Sequence, residues 1–135
     1  MIDCLRFNNG DNKYKIEAIV VISGKDVSVT IGGGDKYHIG AVAIAVPRPE
    51  YKQFKKRTAS TSVICVQGHR EDELSYNVAK YLSTELDCVV TVSIGIHIDN
   101  IEQHEIQLVL NNVNILLNNI VDYLALIVFR VVQYY

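Results

Sequence analysis

Cysteine and proline are scarce in this 135-residue sequence, and neither charged nor apolar residues gather into long runs. Cys4, Cys65 and Cys88 are odd in number, scattered and without CxxC spacing. That excludes a disulfide framework and a zinc knuckle, and it fits a reducing, cytoplasmic setting. Cys65 and Cys88 also sit inside apolar runs, where a cysteine acts as a small hydrophobe. The two prolines, Pro47 and Pro49, fall in "PRPEYKQFKKRTAS" and mark that stretch as a loop. Thirteen basic against fifteen acidic side chains give a net charge of −2, no footprint for nucleic acid or an acidic membrane. The one basic cluster, Lys52, Lys55, Lys56 and Arg57, has no RNA-binding aromatic motif beside it and reads as a solvated loop, with contact to an anionic ligand as the lesser alternative. Residues 1–10 lack a basic segment followed by an apolar one, so no signal peptide is expected. Ile115 to Val132 is apolar, but Asn118, Asn119, Asp122 and Arg130 interrupt it. It falls short of the roughly 20 clean apolar residues a membrane span requires.

What is present is an ordinary globular balance, 49% hydrophobic and 21% charged, and no internal linker or repeat. A single domain over residues 1–135 is expected, large enough to bury a core. Ile16, Ala18, Val20 and Ile22 alternate, as do Val27, Val29 and Ile31, with Ser23-Gly24-Lys25-Asp26 as the turn of a hairpin. Ala41 to Val46 predicts a strand lined with small residues, and Ser62 to Val66 a short apolar one. Leu74, Val78, Tyr81, Leu82 and Leu86 recur at helical spacing after three acids that suit a helix N-terminus. "CVVTVSIGIHIDN" predicts the best strand, with Val90, Val92, Ile94, Ile96 and Ile98 on one face and Thr91, Ser93, Gly95, His97 and Asp99 on the other. A long helix beginning near Ile101 carries an apolar stripe. Residues 124–135 are either its end or a tail packed on a partner. The order β-β-β-β-α-β-α predicts an α+β fold, an α/β sandwich with a mixed sheet and helices packed on it.

Three places could carry chemistry. In "IGGGDKYHIG" the glycines allow positive φ and close approach, and could present N–H groups to an anion. They could equally form a flexible loop or bulge; neither a P-loop nor GxGxxG is present. In "GHRED" His69 and Arg70 precede a helix start, which suits a phosphate or carboxylate as well as a plain solvated helix start. In "GIHIDN" His97 and Asp99 share a strand face at its carboxyl end, where open α/β sheets bind ligands. If the strands converge, His38, His69, His97 and Asp99 could hold a divalent metal or grip a cofactor. His104 stands apart and reads as surface. A nucleophile is harder to find: Ser60, Thr61 and Ser62 make no GxSxG elbow, and Cys65 is flanked by Ile64 and Val66. The pattern favours binding over catalysis.

"GGDKYHIGAVAIAVPRP", "STSVICVQGHREDEL" and "GIHIDNI", in this order, resemble the prenylated-flavin chaperone, LpdD-like, family, the small D subunit of gallate-type hydroxyarylic acid decarboxylases. The resemblance covers Tyr14 to Ile106. It implies a non-catalytic accessory protein that binds prenylated FMN, made by a flavin prenyltransferase, and passes it to a large UbiD-type decarboxylase subunit. The implied site comprises Gly33, Gly34, Asp35, Lys36, His38, Arg48, His69, His97, Asp99 and Asn100. In chemical terms the glycine-loop N–H groups, Lys36 and Arg48 suit the phosphate. His69, His97 and Asp99 suit the ring edge or a bridging metal, and Tyr37 could stack on a ring. Family members often carry proline where this chain has Tyr37, and the apolar tail after Leu124 is unusual. A homo-oligomer is expected, with no nucleic-acid or membrane partner. A small metal-dependent enzyme using His38, His69, His97 and Asp99, or a purely structural subunit, are the alternatives.

Overall fold

The computed structural model describes residues 1–49, 57–66, 68 and 71–133. Strands β1 (Ile2–Asn9), β2 (Ile16–Ser23), β3 (Asp26–Gly34), β4 (Ala41–Arg48) and β5 (Thr58–Cys65) come first. Helix α1 (Asp72–Leu86), strand β6 (Val90–His97) and helix α2 (Gln103–Gln133) complete the chain. The strands form one mixed sheet in the order β1-β2-β3-β6-β4-β5, with β3 and β6 parallel and every other neighbouring pair antiparallel. This is the α+β sandwich expected, with one more strand at its start.

That extra strand, β1, is an edge. Its apolar residues change face part-way along: Ile2 and Cys4 stay exposed on one side, while Leu5 and Phe7 pack on the core from the other. The period-two signal is therefore short and broken, and the strand is fixed by an eight-residue register on β2 from Ile2↔Ser23 to Asn9↔Ile16. Strand β5 also starts earlier than its apolar run, because Thr58 pairs with Arg48 and the hydroxyl cluster Ser60-Thr61-Ser62 lies inside the ladder.

Both helices cover the same face of the sheet. Ile16, Val20, Val29, Ile31, Val92 and Ile94 of the strands meet Val78 and Leu82 of α1 and Val113, Leu116 and Ile120 of α2 in one core. Helix α1 ends where Asp87 enters the left-handed region, its N–H capping on the Ser83 carbonyl. Ser83 Oγ then donates to the Cys88 carbonyl at 2.7 Å and satisfies the buried turn into β6. Helix α2 has 31 residues, roughly 46 Å of helix, and runs on past Leu124, so the start of the apolar tail continues it. No helix among the described residues is long and apolar enough to cross a membrane.

Among the described residues no helix lies on the other face of the sheet. This face presents Ser28, Thr30, Thr91 and Ser93 in the middle and the exposed Val42, Ile44 and Val46 on β4. Strand β4 thus buries its alanines, Ala41, Ala43 and Ala45, against α1 and shows its larger residues outward.

Candidate functional site

Strand β6 lies between β3 and β4, so the chain leaving β3 must cross the carboxyl end of β6 to begin β4. Residues 35–40 make that crossing as a strap on the open face. Gly34 starts it at φ +82°, a region L side chains rarely adopt, and a Cβ there would run into the His97 carbonyl. The freed space lets Asp35 N donate to His97 O at 2.6 Å, and Gly40 N donates to Ile94 O at 2.9 Å. Under the strap sits Gly95, where any Cβ would meet the His38 carbonyl. The Tyr37 ring lies on Gly32, and Ile16 fills the space beside Gly33. The close approach the glycines permit is therefore made by the chain itself, and the Asp35 and Lys36 N–H groups are spent on His97 O.

The strap brings distant polar residues together. His38 Nε2 meets Glu71 Oε1 at 2.8 Å, and both side chains are largely buried (19% and 14% exposed). Glu71 is the N-cap residue of α1. It reads in sequence as one of three helix-start acids; its link to His38 is a contact 33 residues apart, with no local pattern to reveal it. His97 Nε2 meets Asp99 Oδ1 at 2.9 Å, Lys36 Nζ stands 3.9 Å from the same oxygen, and Asp99 N donates to Asp35 Oδ2 at 2.9 Å. The bond from His97 first, and the Lys36 charge second, hold the Asp99 carboxyl below the usual carboxylate range. The His38 and His97 rings lie edge to face, 6.4 Å between centroids. Asn100 turns the chain away at φ 53°.

Gly33, Gly34, Asp35, Lys36, His38, His97, Asp99 and Asn100 are thus neighbours. Arg48 is not among them. It ends β4 at the opposite end of the sheet, bonded to Ser60 Oγ at 2.6 Å and roughly 23 Å along the strand from Ala41. His69 lies outside the described residues. Among the described residues the ligand atoms of His38, His97 and Asp99 do not gather into a metal-sized group; Glu102, His104 and Glu105 at the start of α2 do, two of them exposed.

Sequence reading missed a groove of about 310 Å³ on the open face beside the strap. Its floor comes from Ile19 and Thr30 and its walls from Arg6, Asn8, Glu17 and Tyr37, with His38 at the end nearest His97. Each strand position reads singly as a solvated residue, and only the β1-β2-β3 register places them together. Tyr37 Oη donates to Glu17 Oε2 at 2.5 Å, which fixes the ring over Gly32. That bond, with burial second, pushes the Tyr37 phenol up to about 12.

The chain matches the family model described as the prenylated flavin chaperone LpdD-like domain over residues 10–125. That span contains the strap, Glu71, His97 and Asp99. The chain belongs to this family. A search of curated proteins finds no match. Among solved structures, the fold is similar to a chain of "Crystal Structure of a Novel Chaperone Complex for Yeast 20S Proteasome Assembly". That chain is 15% identical with a TM-score of 0.53, covering 92% of this chain and 95% of that one. At this identity the likeness concerns the fold alone. Membership of the family supports a chaperone role for this LpdD-like protein.

Proposed function

We propose that this LpdD-like protein is a non-catalytic accessory subunit that binds prenylated FMN and delivers it to a UbiD-type decarboxylase acting on gallate-like hydroxyarylic acids. The observation that carries the reading is the family match across residues 10–125, since its span includes every residue of the strap cluster. A cytoplasmic setting, a flavin prenyltransferase as supplier and self-association belong to the same reading.

The arrangement suits holding a ligand. Lys36, His97, Asp99 and Asn100 gather on the exposed side of the strap, the largely buried His38 stands beside them, Asp35, Gly33 and Gly34 shape the strap, and His69 belongs to the proposed set. His38 and His97 are each oriented by a carboxylate, so their rings are fixed before a ligand arrives and less ordering entropy is lost on binding. A phosphate fits this end poorly by itself, because Asp35 and Asp99 flank Lys36, and Arg48 is too far away to help. A planar ring fits better beside Tyr37 in the adjoining groove.

The test is anoxic native mass spectrometry of the protein co-expressed with a flavin prenyltransferase. The expected spectrum shows the mass of prenylated FMN on the chain, lost or much reduced in His97→Ala, and transferred when a UbiD-type apo-decarboxylase is added. A chain that emerges without flavin, or one that holds it and never yields it to the apo-enzyme, would contradict the reading.

A further inference from the structure

We propose that the open-face groove between Arg6 and Tyr37 is the seat of the flavin ring system, with Arg6 facing its anionic edge and Tyr37 stacked against its plane. This rests on the function proposed above and adds a place that the strap residues do not define.

Charge decides between the two halves of the site. At the strap, Lys36 already stands 3.9 Å from Asp99, and Asp99 N donates to Asp35 beside it, so carboxylates flank its ammonium. Among the described residues lining the groove the one carboxylate, Glu17, accepts from Tyr37 Oη and stands 3.8 Å from Lys15 Nζ. Arg6 has no ion pair among the described residues, so its guanidinium is available to a ligand. A guanidinium offers a planar fork to an anionic group and keeps its charge at any working pH.

Shape agrees. The register sets Arg6 beside Ile19 and Ile19 beside Thr30, so all three side chains rise from the open face as adjacent rungs. Ile19 gives an apolar floor, while Thr30 and Asn8 offer hydrogen bonds to heteroatoms at a ring edge. Tyr37 stands 55% exposed, yet its orientation is locked by Glu17 below and Gly32 behind. That is a rigid aromatic wall with a free surface. At about 310 Å³ the groove is at the small end of ligand pockets, which run roughly 300–1,000 Å³. It holds part of the fused ring system, the rest and the ribityl chain running out past His38, which lines the groove and whose ring centroid stands 6.4 Å from that of His97.

The experiment is an anoxic equilibrium titration of the purified full chain with enzymatically made prenylated FMN, read by absorbance. The wild type is compared with Arg6→Gln, Tyr37→Leu, Tyr37→Phe and Arg48→Gln. Arg6 is exposed on an edge strand, so Arg6→Gln keeps the fold even if Tyr37→Leu disturbs the strap. Expected are at least a tenfold loss of affinity in Arg6→Gln, a similar loss with a shifted flavin spectrum in Tyr37→Leu, a smaller loss in Tyr37→Phe, which keeps the ring but not its bond to Glu17, and near-wild-type binding in Arg48→Gln. Wild-type affinity in both Arg6→Gln and Tyr37→Leu would overturn the groove while leaving the proposed function standing. No flavin binding by the wild type would overturn both.

Discussion

The two faces of one sheet differ more than their strands' composition foretells. On β4 the alanines at 41, 43 and 45 are essentially fully buried, while Val42, Ile44 and Val46 are 41%, 43% and 48% exposed. Apolarity by itself does not choose the inward side. Helix α1 lies close over this strand, and small side chains are what the narrow gap admits. On the helix-covered face side-chain volume is fixed by packing. On the open face it is not, and that freedom lets Arg6, Glu17, Thr30 and the strap line a groove without a core to disturb.

Substitutions should therefore fall into two classes, and the largest effects belong to the covered face. Leu82→Ala empties a fully buried position on α1 and is expected to cost about 3 kcal/mol in urea unfolding. A loss below about 1 kcal/mol would mean that α1 packs loosely. Gly95→Ala is the exception on the open face. Its Cβ would displace the His38 carbonyl, so about 2 kcal/mol of stability and the His38–His97 pairing should go together. An unperturbed His38 in its NMR spectrum would break the account of the strap. Ile44→Ser, on the strand that buries alanine, is expected to change stability by no more than about 0.5 kcal/mol. A loss of several times that would show the open face to be covered in solution.

Thiol chemistry sharpens the same contrast more gently. Cys4 and Cys65 are exposed, whereas Cys88 is buried at the entry to β6. Burial first, then the nearby Asp26 and Asp87 charges, push the Cys88 thiol up to about 11. At pH 8 an aromatic disulfide reagent should therefore modify Cys4 and Cys65 promptly and Cys88 only on unfolding. The raised value makes the Cys88 contribution to stability full below the ordinary thiol range and lost as pH rises through about 11. Prompt labelling of all three would show that β6 opens.

Much of this architecture was legible in the residues. The alternation from Val90 to Ile98 gives β6 and its two faces, and the hairpin of β2 and β3 follows from Ile16 to Ile31. The strap is marked by its glycines, although they accommodate the chain's own carbonyls and rings in place of a ligand. What was hidden is non-local. Strand β1 changes its apolar face after Cys4, so its alternation is short and it depends on its partner. Glu71 looks like a dipole acid until the strap carries His38 to it. Arg48 shares a motif with the strap but is separated from it by the length of β4. The groove needs the register of three strands before Arg6, Ile19 and Thr30 become neighbours.

The most direct measurement is an isotope-filtered NOE experiment on the methyl-labelled protein loaded with prenylated FMN without oxygen. Contacts from flavin protons to the Ile19 and Thr30 methyl groups, with none to Val92 or Ile31 on the covered face, are the predicted result. Contacts confined to Val42, Ile44 and Ile64, or a protein that takes up no flavin, would contradict it.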